Sequence, residues 1–378
     1  MRTVGIMSMQ RILNYGSSLQ AFALRRLIER LGNDVQVTFV DYEPGATLLK
    51  GAYSDDRRSN LGRTLAKVRE YNDAEARLAD KLRFLNHKRT YAKRYFPMLG
   101  LSAARNHDLD LDVQVIGSDE VFNCVQSNTN VGYSRDLFGH NSPARRVISY
   151  AGSFGNTTLE KIEGSGIREH LEEDFARFTA ISVRDRNSAG IIEALTGRTP
   201  TLNADPAIAY DYMRLEGRVP QDRQYEPRYI IVYGYSGRLT QDENELIKQY
   251  ARSTGARVLC FGGVQDCCDR FVDCSPFELL AYFRDADAVI TDTFHGTIFS
   301  IVNNVPFATI VRPSVDLGYG NEEKLGFFLE TFGLETQQLT EVADIDQVLT
   351  HPIDYASVNR KLEMERANAV NYLATNIV

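Results

Sequence analysis

The chain is organised around the stretch 286–302, ADAVITDTFHGTIFSIV, in which a histidine follows an aspartate by three residues where an apolar strand gives way to an apolar helix. Residues 288–290 read as a buried strand, residues 291–293 end it, and residues 297–302 resume with the spacing of a helix packed on a sheet. A strand feeding a helix through a tight turn leaves His295 and Gly296 at the helix N-terminus. Backbone N–H groups and the positive end of the helix dipole suit an anion such as phosphate there. An imidazole in that place can give or take a proton near neutral pH, although the same dipole lowers its pKa. The pattern equally admits a His295 that only caps the helix or bonds to Asp292.

Three other places carry residues of chemical use. The strand 111–117 runs into Ser118, Asp119 and, a little later, Asn123, and open α/β sheets take their ligands at such carboxyl ends. Asp119 and Asn123 are therefore site candidates, beside the plainer reading of turn and capping residues. Arg184 follows the strand 179–183, and its forked cation could grip a carboxylate or phosphate with two parallel hydrogen bonds; the alternative is a surface pairing of Asp185 with Arg184 or Arg186. The loop 9–18, MQRILNYGSS, supplies a second strand-to-helix junction, with Gly16 for a turn and Ser17 as the cap.

Alternating strands and helices must position these groups. The first half reads as strands 3–7, 35–41, 111–117, 146–151 and 179–183, with helices 17–31, 162–178 and 184–195. The segment 50–94 is rich in charge, with Leu65, Val68, Leu78, Leu82 and Leu85 at helical spacing, and reads as one or two exposed helices inserted between sheet elements, or as a lid beside a site. Pro206 and the polar stretch 214–227 mark a linker. The second half reads as strands 228–234, 257–261, 288–290 and 306–311, with helices 241–253, 276–285 (Ser275 as N-cap, Pro276 at the first position) and 324–331. A last helix, 356–374, is long enough to cross back onto the first half. The expected fold is thus α/β, two Rossmann-like domains facing each other across a cleft: residues 1–212 with helix 355–378 returning to them, and residues 213–354.

At 378 residues the chain has room for two such cores. A net charge of −7, with cations scattered along the chain, argues against a nucleic-acid partner and leaves an anionic substrate to a few local arginines. Residues 1–7 are too short an apolar stretch for a signal peptide and no run reaches bilayer length, so the expected location is cytoplasmic. The five cysteines form no zinc pattern, so reduced thiols and no metal are expected. Neither a dinucleotide fingerprint, a phosphate-binding P-loop nor a nucleophile elbow is present.

Several motifs together say more than each alone: NYGSSLQ (14–20), IGSD (116–119) with Asn123, ISYAGSFG (148–155), SVRD (182–185), Asp205-Pro206, SPFE (275–278), TDTFHGTIFS (291–300) and Pro306-Phe307. In this order and spacing they resemble the polysaccharide pyruvyl transferase family, from the first strand to past Phe307. The resemblance implies a two-lobed enzyme of the glycosyltransferase-B type. Such an enzyme moves the three-carbon unit of phosphoenolpyruvate onto two sugar hydroxyls as a cyclic ketal and releases phosphate. It implies proton transfer and donor binding by His295, a donor clamp at Arg184, and helix N-terminal donors at Gly296 and Thr297. It also implies acceptor contacts from Asn14, Gly117, Ser118 and Asp119, with Asp119 as the base. Phosphoenolpyruvate would be a co-substrate with no other cofactor. The acceptor would be a sugar or lipid-linked oligosaccharide in capsule or exopolysaccharide synthesis, reached by peripheral contact where it is membrane-bound. Departures fall at Glu120 and Phe122, where the family often has Gln and Trp, and at Lys324, which replaces an arginine's fork by a point charge. Two other readings of a two-lobed architecture are a nucleotide-sugar-dependent glycosyltransferase and a non-catalytic sugar-binding protein.

Overall fold

The computed structural model describes residues 1–48, 76–108, 110–126, 128–312 and 321–378. Runs such as Tyr229–Tyr233 and Val113–Asp119 are buried at every position, as strands covered on both faces must be. They lie within two sheets whose described pairings are all parallel. The first holds β1 (Arg2–Met7), β2 (Val35–Phe39), β3 (Val113–Asp119), β4 (Arg146–Gly152), β5 (Phe178–Ala180), β6 (Ser182–Val183) and β7 (Thr201–Leu202), in the order β2-β1-β3-β4-β6-β7 with β5 beside β4. The second holds β8 (Tyr229–Tyr233), β9 (Arg257–Phe261), β10 (Arg270–Phe271), β11 (Ala288–Thr291), β12 (Phe307–Ile310) and β13 (Gln338–Leu339), in the order β10-β9-β8-β11-β12-β13. In each sheet the order reverses once, between β1 and β3 and between β8 and β11. Loops leaving the carboxyl ends at such a reversal diverge and open a crevice.

In chain order the described α-helices are α1 (Tyr15–Glu29), α2 (Leu78–Tyr95), α3 (Leu159–Gly164), α4 (Arg168–Phe175), α5 (Arg186–Thr196), α6 (Pro206–Ala209), α7 (Tyr212–Leu215), α8 (Gln241–Thr254), α9 (Pro276–Arg284), α10 (Phe294–Val302), α11 (Glu322–Phe332), α12 (Ile345–Thr350) and α13 (Tyr355–Ile377). Their starts follow local chemistry. Ser275 and Glu278 close a capping box on α9 behind Pro276, and Thr240 with Glu243 does the same for α8. The helix expected over 162–178 is two short helices, α3 and α4, and the strand expected over 179–183 is divided into β5 and β6. α1 starts earlier than expected. Its cap is Asn14, whose carboxamide oxygen accepts from the Ser17 amide, so Ser17 lies inside the first turn and is not the cap.

The described residues form two units. One takes those of Met1–Asp55, Phe96–Tyr210 and Lys361–Val378; the other takes those of Asp56–Tyr95 and Asp211–Arg360. The division falls after Tyr210, so the polar stretch 214–227 belongs to the second unit. α2, assigned from sequence to the first domain, also lies in the second. Leu65 and Val68 fall outside the described residues. Leu78, Leu82 and Leu85 face outward, and α2 is buried instead through Asp80, Phe84, His87, Tyr91 and Tyr95. Polar groups fix it: the Asp80 carboxylate accepts from the Phe271 amide at 3.0 Å, and Asp273 accepts from His87 Nδ1 at 2.8 Å, Arg94 at 2.6 Å and the Tyr95 hydroxyl at 3.0 Å. α13, expected to belong wholly to the first domain, starts in the second unit and joins the first from Lys361 onward, where the Tyr372 hydroxyl donates to the Ser149 carbonyl at 2.9 Å.

The core of the first unit carries a cluster of aromatic rings, Phe122, Phe138, Phe154, Phe175 and Phe178, with neighbouring centroids 5.1 to 6.4 Å apart. Phe122 is fully buried in it. The ring at this position therefore packs the core and offers no face to a sugar.

Two stability effects follow. Phe122→Ala should cost about 3–5 kcal/mol in urea unfolding, because the cluster keeps the cavity open; a loss below about 1 kcal/mol would contradict this packing. Burial lowers the pKa of His87 below its ordinary value, with Asp273 pulling the other way. The unfolded chain thus binds a proton near pH 6.5 that the folded chain takes up only at lower pH, and stability falls as pH drops through that interval. His87→Gln, which does not titrate, should flatten that part of the curve; an unchanged slope would show that His87 is not its source.

Candidate active site

Beside the reversal in the first sheet, the first turn of α1 and the carboxyl ends of β3, β6 and β7 bring together Ser17, Asp119, Arg184 and Asp205. Arg184 has a side chain only 1% exposed, and its guanidinium lies between two carboxylates, 2.5 Å from Asp205 Oδ2 and 3.3 Å from Asp119 Oδ1. Burial works against its charge, but Asp205 and Asp119 outweigh burial and hold its pKa above the ordinary guanidinium value. Asp205 is fixed in turn, accepting from the Ala207 amide at the start of α6, with the Ser118 hydroxyl oxygen 3.2 Å away. The Ser17 hydroxyl donates to the other oxygen of Asp119 at 2.7 Å. Asp119 sits in the left-handed region, φ +72°, a conformation that costs a non-glycine residue free energy.

This geometry revises several expectations. Arg184 is committed to Asp205 and Asp119, so it is no open clamp for a donor. It does not pair with Asp185 either, since Asp185 caps α5 by accepting from the Ser188 amide. Ser118 is fully buried, and its hydroxyl donates to the Ala151 carbonyl. Gly117 allows close approach of β3 and β4, because a Cβ there would lie 2.2 Å from the Tyr150 carbonyl oxygen. Both therefore build the sheet edge. Asn14 holds α1 by its side-chain oxygen. Asn123 bonds to Glu120 and Thr157. Of the expected acceptor-side residues, Asp119 remains the carboxylate at the crevice, with a side chain 12% exposed.

At the reversal in the second sheet, β8 ends in Gly234-Tyr-Ser-Gly-Arg238 and β11 ends in Asp292-Thr293 before α10. Thr293 caps α10, its hydroxyl accepting from the Gly296 amide at 3.0 Å; the Thr297 amide and hydroxyl both donate to the Thr293 carbonyl. Thr297 also meets Thr309 at 2.9 Å and is fully buried. The Gly296 and Thr297 groups expected to receive phosphate are thus used within the protein. His295 is half-buried on the first turn, its ring 5.6 Å from Phe294 and 6.2 Å from Phe299. Lys324 of α11 stands 4.8 Å above the Phe294 ring.

Sequence reasoning missed Arg238 beside Asp292. A small cavity here is lined by Gly234, Arg238, Gln265, Thr291 and Asp292. Arg238 Nη1 lies 3.4 Å from Asp292 Oδ2, and its guanidinium stacks on Tyr235 at 4.4 Å. Burial pushes the Asp292 carboxyl above the ordinary aspartate value against the pull of Arg238. A cation after a glycine-rich strand end was legible as a signal, since such turns let a backbone approach a ligand. All five cysteines are buried and free of disulfides, and no group of His, Cys, Asp and Glu among the described residues could hold a metal ion.

Two parallel sheets with helices on their crossovers define an α/β protein of two Rossmann-like units, a glycosyltransferase-B-like fold. Its likeness to solved structures is in fold alone. UDP-GlcNAc 2-epimerase from Neisseria meningitidis, bound to UDP-GlcNAc, matches with a TM-score of 0.52 and 8% identity over 100% of this chain and 99% of that one. A second UDP-N-acetylglucosamine 2-epimerase matches with a TM-score of 0.51 and 8% identity over 99% and 94%. A mutant of the Thermobaculum terrenum O-GlcNAc transferase matches over 99% of this chain with 12% identity and a TM-score of 0.45, and the chain spans 66% of that protein's length. No curated protein matches the sequence. The family description Polysaccharide pyruvyl transferase matches residues 14–314, and the chain belongs to that family.

Removing one partner of a buried ion pair leaves the other charge uncompensated. Arg184→Ala and Asp205→Asn should each cost about 3–5 kcal/mol in denaturant unfolding. The double variant should cost less than the sum of the two, because each single change already breaks the pair. Additive losses, or losses near zero, would contradict the network.

Proposed function

We propose that this chain transfers the pyruvyl unit of phosphoenolpyruvate to two hydroxyls of a sugar in a surface-polysaccharide precursor, forming a cyclic ketal and releasing phosphate. The observation that carries the reading is family membership over residues 14–314, with His295 half-buried on the first turn of α10 where the second sheet reverses. The second unit would bind the donor and the first the acceptor. His295 gives a proton to the methylene carbon, making it a methyl group, and the neighbouring carbon takes the positive charge, stabilised by its oxygen. One sugar hydroxyl forms a C–O bond to that carbon and gives up its proton to Asp119. The C–O bond to phosphate then breaks, and a second hydroxyl closes the ring by forming a C–O bond to the same carbon, its proton going to the released phosphate. Arg184 acts on this chemistry through Asp119, which it holds in place. Asn14, at the cap of α1, is the remaining candidate for an acceptor contact.

The reading uses phosphoenolpyruvate as co-substrate and calls for no other cofactor or nucleic acid. A sugar or lipid-linked oligosaccharide of capsule or exopolysaccharide synthesis is the acceptor class, met on the cytoplasmic side. No helix among the described residues is long and apolar enough to cross a membrane. A lipid-linked acceptor would, on this reading, be met by peripheral contact.

The test is phosphate release from phosphoenolpyruvate in the presence of a panel of sugar acceptors. Wild type should release phosphate with at least one of them, and His295→Gln should lower turnover by roughly 10²–10⁴ while its melting temperature stays within a few degrees. Near-wild-type turnover in His295→Gln would remove it as the acid. Binding of nucleotide sugars and not of phosphoenolpyruvate would overturn the reading as a whole.

A further inference from the structure

With Arg184 sealed in the first unit, the anionic donor of the proposed reaction needs a cation in the second, and the Arg238–Asp292 pair has the properties of one. The main chain around Arg238 is fixed from several sides. Gln265 Nε2 donates to the Tyr235 carbonyl at 2.8 Å, the Val264 amide donates to the Ser236 hydroxyl at 2.9 Å, and Arg312 donates to the Arg238 carbonyl at 3.2 Å. Arg312 is itself held by both oxygens of Glu243 at 2.9 Å. A Cβ on Gly234 would come within 2.9 Å of Asp292 Oδ1, so the turn lies directly against the carboxylate. The head group of Arg238 is held differently. Its contact to Asp292 is long, 3.4 Å, where Arg312 has two contacts of 2.9 Å to Glu243. The exposure is also lopsided: the Arg238 side chain is 29% exposed and that of Asp292 2%. A fixed turn thus presents a partly exposed arginine side chain in front of a buried carboxylate.

We propose that Arg238 is the anion grip of the second unit, and that an incoming phosphate or carboxylate draws its guanidinium away from Asp292. The identity of the anion as part of phosphoenolpyruvate rests on the function proposed above. Asp292 positions the guanidinium before the anion arrives and competes with the anion for it. The N-terminus of α10, capped by Thr293 immediately after Asp292, adds a favourable field for negative charge on the same side of the sheet. A planar fork suits the exchange, because it can trade one oxygen pair for another without moving its stem.

Isothermal titration of the full chain with phosphoenolpyruvate, inorganic phosphate and pyruvate tests this. Arg238→Gln should weaken phosphoenolpyruvate binding tenfold or more, and Arg238→Lys, which keeps the charge and loses the fork, should fall between it and wild type. Asp292→Asn should bind several-fold more tightly than wild type, since a competing and repelling carboxylate is gone. Loss of affinity in the phosphate or the pyruvate arm on Arg238→Gln supports the proposal and identifies the group held; loss in neither overturns it, as does an Asp292→Asn that binds as weakly as Arg238→Gln. Should Arg238→Gln unfold, the Arg238→Lys and Asp292→Asn comparison decides alone. Wild type that binds phosphoenolpyruvate with Arg238→Gln unchanged refutes the grip and leaves the donor reading standing. Wild type that binds inorganic phosphate through Arg238 but not phosphoenolpyruvate does the reverse.

Discussion

A guanidinium shut between two carboxylates fixes the crevice of the first unit. Taking charges out of water is costly, and the cost is met only when geometry and neighbouring hydrogen bonds are good. Arg184 meets that condition, 2.5 Å from Asp205, with Asp205 tied to α6 and Asp119 tied to Ser17 of α1. One ion cluster therefore locks four chain segments at the carboxyl edge of the sheet. The position of Asp119, the carboxylate with a chemical use, is a consequence of that lock.

The second unit meets the same problem with a different balance. Its aspartate is as deeply buried, but the arginine is partly in water and the contact is longer. A closed pair suits a group that must stay put, and a looser one suits a cation that changes partner. In each unit one aspartate, Asp119 at the end of β3 or Asp292 after β11, lies on a strand that borders the reversal, where neighbouring loops diverge. Family membership over residues 14–314 is what supports the proposed reaction.

How much of this was legible in the sequence depends on whether the signal was local. The capping box at Ser275 and Glu278 and the strand Arg257–Phe261 could be read directly, because caps and apolar runs act within a few residues. The turn from β11 into α10 was legible for the same reason. Periodicity could show that α2 is a helix but not which face is buried; the leucines lie outside because Asp80, His87 and the tyrosines find polar partners on the other side. Arg184 was legible as a cation at a strand end. Its partner Asp205 stands in a motif of its own, and only the fold joins them. Phe122 stands out in the sequence only as a departure from the family's Trp, and its place in the aromatic cluster needs the fold; Arg238 was passed over although a glycine-rich turn leads to it.

A crystal of the full chain soaked with phosphoenolpyruvate examines the central claim most directly, that the two aspartate–arginine pairs do different work. The account predicts phosphorus or carboxylate density at the carboxyl ends of β8 and β11, within hydrogen-bond distance of the Arg238 guanidinium, with Arg184 still between Asp119 and Asp205. Density bonded to Arg184, or an Arg238 that keeps its contact with Asp292 while the donor binds elsewhere, would contradict it.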